Sequence, residues 1–229
     1  MLLLNDFISL IFPELCAVCG SGLYKGEQDI CTACLFKLPQ TGFHKLVDNP
    51  VAKLFWGRIE LNAAASFYLF QKGGSVQELI HQLKYRGQKQ IGVTIGKQYG
   101  HEIKQSVFFK DADLIIPVPL HKTRLRKRGY NQAEYFAKGL SEVMNVGENF
   151  SVLKKIISVE TQTKKSRFNR WKNVETVFKV ENAEMIKGKH ILLVDDVVTT
   201  GATLEACAEK LIKAGAGKVS VATIAFTQL

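Results

Sequence analysis

Ile191-Leu192-Leu193-Val194-Asp195-Asp196-Val197-Val198-Thr199-Thr200-Gly201-Ala202-Thr203-Leu204 is the stretch whose reading decides the fold. Its first four residues are a short apolar run, the mark of a buried strand. Two adjacent carboxylates follow where that strand is expected to end. A small-and-hydroxyl loop comes next, then an amphipathic helix in which Leu204, Cys207, Ala208, Leu211 and Ile212 recur at i, i+3, i+4, i+7 and i+8. Gly215 stands where a C-terminal stop belongs. A strand, such a loop and a helix N-terminus together make an anion site, because free backbone N–H groups and the positive helix end face the ligand. Two carboxylates beside a phosphate repel it unless they serve another part of the ligand, and a sugar diol or a magnesium ion bound to it fits. The alternative is an ordinary strand-to-helix turn whose threonines cap the helix. The missing Gly-Lys-Ser/Thr excludes a P-loop, and the missing G-x-G-x-x-G excludes a dinucleotide fingerprint.

Around this stretch, 229 residues leave room for one α/β domain and a small appendage. A hydrophobic content of 46% is ample for a core, and this excludes a disordered chain. The net charge of +10 favours polyanionic partners such as nucleic acid, nucleotides or an anionic membrane surface. No apolar run approaches a membrane span. The segment from Met1 to Pro13 is apolar but carries Asp6 and lacks a basic leader, so a short packed helix is expected there, not a signal peptide. The expected location is the cytoplasm, including the inner face of the membrane.

Cys16-x2-Cys19 and Cys31-x2-Cys34 form two knuckles separated by eleven residues. Each pair can turn both thiolates inward, and two pairs complete a closed, structural four-thiolate zinc site. Two reducible disulfides or free thiols are the alternative, disfavoured in a reducing compartment. Cys207 falls on the apolar face of its helix and is expected in the core. Residues 1–55 are accordingly assigned to the N-terminal helix and ribbon, with Gln40 to Leu54 as an irregular link, and residues 56–229 to the main domain.

In that domain a strand is expected within Glu60 to Phe70. A helix from Val76 to Tyr85, capped by Ser75, and a second from about Lys89 to Gln105 follow. Asp113 to His121 reads as a buried strand whose C-terminal end is marked by Pro117 and Pro119, since proline cannot donate to a sheet ladder. In an open α/β sheet that end faces the ligand. Directly after it, Lys122, Arg124, Arg126, Lys127 and Arg128, with Tyr130, make a basic run placed to meet phosphates; a merely solvated face is the alternative. The helix Ala133 to Met144 turns Tyr135, Phe136, Leu140 and Val143 inward. Val152 to Val159 is expected as a strand or hairpin arm. Thr161 to Lys172 reads as a flap, and its cations, Arg170 among them, interleave with Phe168 and Trp171 as a single-stranded nucleic-acid surface does. The alternative is that these aromatics anchor the flap to the core. Val219 to Phe226 is the last buried strand.

The central stretch resembles the phosphoribosyl-pyrophosphate (PRPP) loop of type I phosphoribosyltransferases: an apolar strand, Asp-Asp, two residues, Thr-Thr-Gly, one residue and Thr. That resemblance implies a parallel sheet flanked by helices, an acidic pair on the ribose hydroxyls and a loop, Val197 to Thr203, around the 5′-phosphate. Pro117-Val-Pro-Leu-His-Lys122, then Arg-x-Arg-x-Arg-Gly-Tyr-Asn-Gln132, behind a four-cysteine ribbon and ahead of that loop, narrow the likeness to the ComF family. Leu79-Ile-His-Gln-Leu-Lys84-Tyr-Arg-Gly87 and Thr161-Gln-Thr163…Arg170-x2-Asn173-Val174…Phe178 also fit, so the resemblance spans nearly the whole chain. It implies a zinc ribbon joined to a phosphoribosyltransferase-like domain, a role with incoming single-stranded DNA in natural transformation, and partners among DNA-uptake and recombination proteins. It also implies PRPP with magnesium at the acidic pair, with Lys84, Pro119, Leu120 and His121 on the pyrophosphate side. A phosphoribosyltransferase of nucleotide salvage and a PRPP-sensing regulatory module are the competing functions. No general base for a purine or pyrimidine is evident, so turnover and its acceptor stay open.

Overall fold

Apolar runs too short for helices, alternating with helical patterns, are expected to build a parallel sheet covered on both faces. A computed structural model describes residues 13–156 and 177–228. Strand β1 (Ala63–Phe70) leads to helices α3 (Ser75–Tyr85) and α4 (Gln90–Ile103), which follow the short α1 (Thr32–Lys37) and α2 (Pro50–Lys53). Then come β2 (Leu114–Pro117), α5 (Lys122–Arg128), α6 (Gln132–Met144), β3 (Leu153–Lys155), β4 (Phe178–Val180), β5 (His190–Val198), α7 (Ala202–Lys213) and β6 (Lys218–Thr227). Four strands form a sheet in the order β1-β6-β5-β2 with every neighbouring pair parallel. β3 and β4 pair antiparallel as a separate arm.

The alternation of β5 sorts its side chains between two cores. Leu192 and Val194 join α3, α4 and α6 on one face. Ile191 and Leu193 join α7, Phe55 and the β3–β4 arm on the other. The ribbon residues Cys16, Ile30, Cys31, Cys34 and Leu38 belong to the first of these cores. α4 and α6 cross at a glycine contact: a Cβ at Gly96 would lie 2.4 Å from the Phe136 carbonyl oxygen, so only glycine permits this approach.

Among the described residues, the expected elements are present with several shifts. β5 does not end before the acidic pair but continues through it to Val198, because β6 extends alongside and pairs Asp195 with Thr223 and Val198 with Phe226. Ser75 lies inside α3, whose N-cap is Gly74 with no side-chain cap, so the cap assignment to Ser75 is corrected. The link from Gln40 to Leu54 is not wholly irregular: Leu69 N–H donates to the Pro39 carbonyl and Thr41 N–H to the Phe67 carbonyl, lengthening the sheet at its β1 edge. Asn49 then caps α2 through its side chain. The basic run folds as the seven-residue α5, which buries none of its residues. Tyr135 and Val143 are half-buried, and Ile212 is exposed. The expected helix before Pro13 and the flap from Thr161 to Lys172, with Phe168, Arg170 and Trp171, lie outside the described residues.

Candidate ribose-phosphate site and metal centre

Because side chains alternate along a strand, the adjacent Asp195 and Asp196 face opposite layers, and a lysine of a different element acts on each. On the α3 side, Lys84 Nζ reaches both carboxylate oxygens of Asp196, at 3.0 Å and 2.9 Å. On the α7 side, Asp195 lies in the field of Lys155 from β3. Desolvation, then the neighbouring Asp196 charge, pushes the Asp195 carboxyl up to about 7, while the Asp196 N–H and the two lysines oppose the rise. Burial lowers Lys155 from the usual lysine value, and its ammonium sits 5.2 Å from the Phe178 ring centre. Burial, with Asp195 behind it, holds the Cys207 thiol well above its ordinary value, so Cys207 is a core residue as expected.

The loop after β5 encloses a hollow of about 60 Å³ lined by Asp195, Val197, Val198, Thr199, Thr200, Gly201, Ala202, Thr203 and Leu204. Val198 is buried beneath it, while Thr199, Thr200, Ala202 and Thr203 are exposed. Gly201 is the N-cap of α7 in the left-handed region, at φ +76°. Two residues outside the motif hold the loop. Phe55 packs under Gly201, where an added Cβ would lie 2.9 Å from its ring. Arg58 donates to the Thr200 carbonyl at 3.0 Å and to the Leu54 carbonyl at 2.9 Å, and pairs with Glu205 of α7. Sequence reading missed Arg58, Phe55 and Lys155, which lie far from the loop in the chain and carry no local signal.

The residues assigned to the pyrophosphate side divide between two hollows flanking α5. Lys84 lines a basic hollow of about 520 Å³ with Tyr85, Gly87, Arg124, Lys127 and Arg128. Pro119 and Leu120 line the other, of about 570 Å³, with Lys122, Leu125 and Lys155. His121 is the N-cap of α5, its ring accepting from Thr123 N–H. Arg126 is exposed on the same helix. Tyr130 is half-buried, and its hydroxyl donates to the Leu83 carbonyl at 2.5 Å, so it ties α3 to the turn before α6. Asn131 caps α6 and donates to the Val118 carbonyl at 3.0 Å, pinning the exit of β2.

The four ribbon thiols all lie within 4.8 Å of one another. A tetrahedral site with Zn–S bonds of about 2.3 Å requires sulfurs about 3.8 Å apart. Cys19 Sγ and Cys31 Sγ are separated by 3.8 Å, far beyond a disulfide bond. Cys31 N–H also donates to Cys16 Sγ at 3.2 Å, as backbone amides do to a ligating thiolate. The donor set therefore fits a metal such as zinc, with no position left open.

A phosphoribosyltransferase-like domain carrying a four-cysteine ribbon is the class that this fold and site define. The family profile described as "Phosphoribosyl transferase domain" matches residues 131–228. The DNA utilization protein YhgH of Salmonella typhimurium is 30% identical over 228 residues, covering 93% of this chain and 96% of that protein. Competence protein ComFC of Bacillus subtilis is 28% identical, covering 92% and 83%. Competence protein F of Haemophilus influenzae is 30% identical over 62% of this chain and 64% of that one. The chain belongs to the ComF family of competence proteins. Among solved structures, a glutamine PRPP amidotransferase from B. subtilis complexed with ADP and GMP aligns with 59% of this chain and 26% of that one, at 23% identity and a TM-score of 0.44. No described helix is long and apolar enough to cross a membrane.

Proposed function

We propose that this protein binds the ribose-phosphate group of PRPP or ribose 5-phosphate at the Asp195–Asp196 loop and handles single-stranded DNA during natural transformation, in the cytoplasm. The observation that carries the reading is the junction at the end of β5. A Thr199–Thr203 loop adjoins two carboxylates, Asp196 paired with Lys84 and Asp195 in the electrostatic field of Lys155. The loop hydroxyls and N–H groups suit the 5′-phosphate, and the carboxylates suit the two ribose hydroxyls. Magnesium bound with PRPP would be held on the same carboxylates, where it would neutralise the pyrophosphate. The DNA surface comprises Lys122, Arg124, Arg126, Lys127 and Arg128, with Tyr130 and the flap residues Arg170 and Trp171. Residues 1–55 act as the helix and zinc ribbon, and residues 56–229 as the sugar-phosphate-binding domain.

Isothermal titration with PRPP and with a short single-stranded DNA, each with and without magnesium, tests both halves. The logarithm of DNA affinity should fall with log salt at about −0.7 per phosphate neutralised. Replacing Arg126 and Arg128 with alanine should flatten that slope for all sequences alike. Absence of DNA binding at low salt, together with pyrophosphate release on any one nucleobase, would instead make the protein a nucleotide-salvage transferase.

A further inference from the structure

The basic hollow beside α5 contains an exposed aromatic group, Tyr85, to which the sequence reading gave no role. Tyr85, the last residue of α3, is 67% exposed and lines the hollow together with its cations. It is nevertheless held in place. The His81 ring lies 5.1 Å away on the preceding turn, and the Arg128 guanidinium sits 5.6 Å from the Tyr85 ring centre. Arg128 is fixed in turn by a hydrogen bond to Gln132. The His81 ring is tilted 43° to that of Tyr85, and Tyr85 and Arg128 share the hollow with Lys84, Arg124 and Lys127. An exposed, oriented aromatic beside cations is what a flexible polynucleotide needs, since the bases stack while the phosphates follow the charges.

The same hollow touches the sugar-phosphate site through one residue. Lys84 lines it and also contacts both oxygens of Asp196, at 3.0 Å and 2.9 Å. An ammonium has three donors, and two already point at Asp196. One direction is left for a phosphate, whether from a strand or from a pyrophosphorylated sugar. Tyr130 anchors this arrangement by donating to the Leu83 carbonyl, one residue from Lys84.

Building on the reading above, we propose that the hollow between α3 and α5 is a single-stranded nucleic-acid subsite, with a base on the exposed Tyr85 ring beside Arg128 and phosphates on Lys84, Arg124 and Lys127. Because Lys84 is shared, a strand in this subsite and a pyrophosphorylated sugar phosphate at the Asp195–Asp196 loop each weaken the other's binding. Such coupling is reciprocal: whatever factor PRPP takes from strand affinity, the strand takes from PRPP affinity. Ribose 5-phosphate has no pyrophosphate to claim Lys84 and leaves the strand in place.

The test is fluorescence anisotropy of a labelled oligothymidylate on the full-length protein, titrated with PRPP and, separately, with ribose 5-phosphate. Saturating PRPP should raise the oligonucleotide Kd at least fivefold, whereas ribose 5-phosphate should change it by less than about twofold, the factors being set by coupling energies of order 1–3 kcal/mol. Tyr85→Ala should weaken the oligonucleotide about 5- to 150-fold, the loss of one stacked base. Its exposed position leaves the melting temperature as the control for folding. Lys84→Gln should abolish the effect of PRPP on the strand. The inference is overturned if Tyr85→Ala binds DNA as the parent does. It is also overturned if PRPP and the oligonucleotide each bind yet neither shifts the other, and in either case the proposed function stands. A parent protein that binds neither ligand removes the proposed function and this inference together.

Discussion

Gly201→Ala is expected to destabilise the protein by about 2–5 kcal/mol through two contributions that can be separated. The first is the backbone. Gly201 has φ +76°, and an L-residue in the left-handed region is about 1–2 kcal/mol less favourable than in its usual conformations. The second is packing. The new Cβ would lie 2.9 Å from Phe55 Cε1 and 3.1 Å from Cζ, well inside the usual carbon–carbon contact of about 3.5–4.0 Å. Phe55 is only 1% exposed and is wedged in the core between α7 and the sheet, so its ring cannot yield freely. Overpacking of this kind costs about 1–3 kcal/mol. Phe55→Leu removes the ring edge and with it the clash, but leaves the dihedral strain. In that background Gly201→Ala should cost only about 1–2 kcal/mol, giving a coupling energy of about 1–3 kcal/mol between the two positions. Urea-unfolding midpoints of the four proteins, compared at constant slope, measure it. Equal costs of Gly201→Ala in both backgrounds would refute the view that Phe55 sets the shape of the loop after β5.

Three further outcomes follow from the site. The Asp195 carboxyl is raised from 3.8 to about 7 in the fold, so its contribution to stability is full below about pH 4 and is lost as pH rises through about 7. The parent should therefore lose more melting temperature between pH 5.5 and 8 than Asp195→Asn does, and parallel pH profiles would count against the desolvation of Asp195. Arg58→Ala removes the hydrogen bonds to Thr200 and Leu54 and is expected to cost about 1 kcal/mol and to weaken ribose 5-phosphate; Arg58→Lys, which keeps the charge but not the fork, should resemble it in calorimetry. Metal analysis should return one zinc per chain. Cys31→Ser should lose it and increase hydrogen exchange across residues 14–38 while the sheet stays protected; retained zinc in that variant would defeat the four-thiolate site.

The strand, loop and helix from Ile191 to Leu204 and the cysteine cluster were legible in the sequence because their signals are local. Ile191 to Leu204 carries strand, acids, hydroxyls and helix start in one run, and the two Cys-x2-Cys knuckles need only their own turns to bring four thiols within 4.8 Å. Ser75 was misjudged as a cap because Gly74 and Ser75 both satisfy the local start signal of a helix. The strand was expected to stop at Asp195 on side-chain polarity, whereas the ladder to β6 depends on backbone groups and runs on to Val198. The period-2 pattern of a strand implies that neighbouring acids face opposite ways. It cannot say what waits on each face. That was decided by the sheet order β1-β6-β5-β2 and by the layers it supports, which bring Lys84 from 112 residues away to Asp196 and the Arg58 guanidinium from 142 residues away to Thr200. Lone charges on distant segments have no periodicity of their own, and only the packed chain gives them partners.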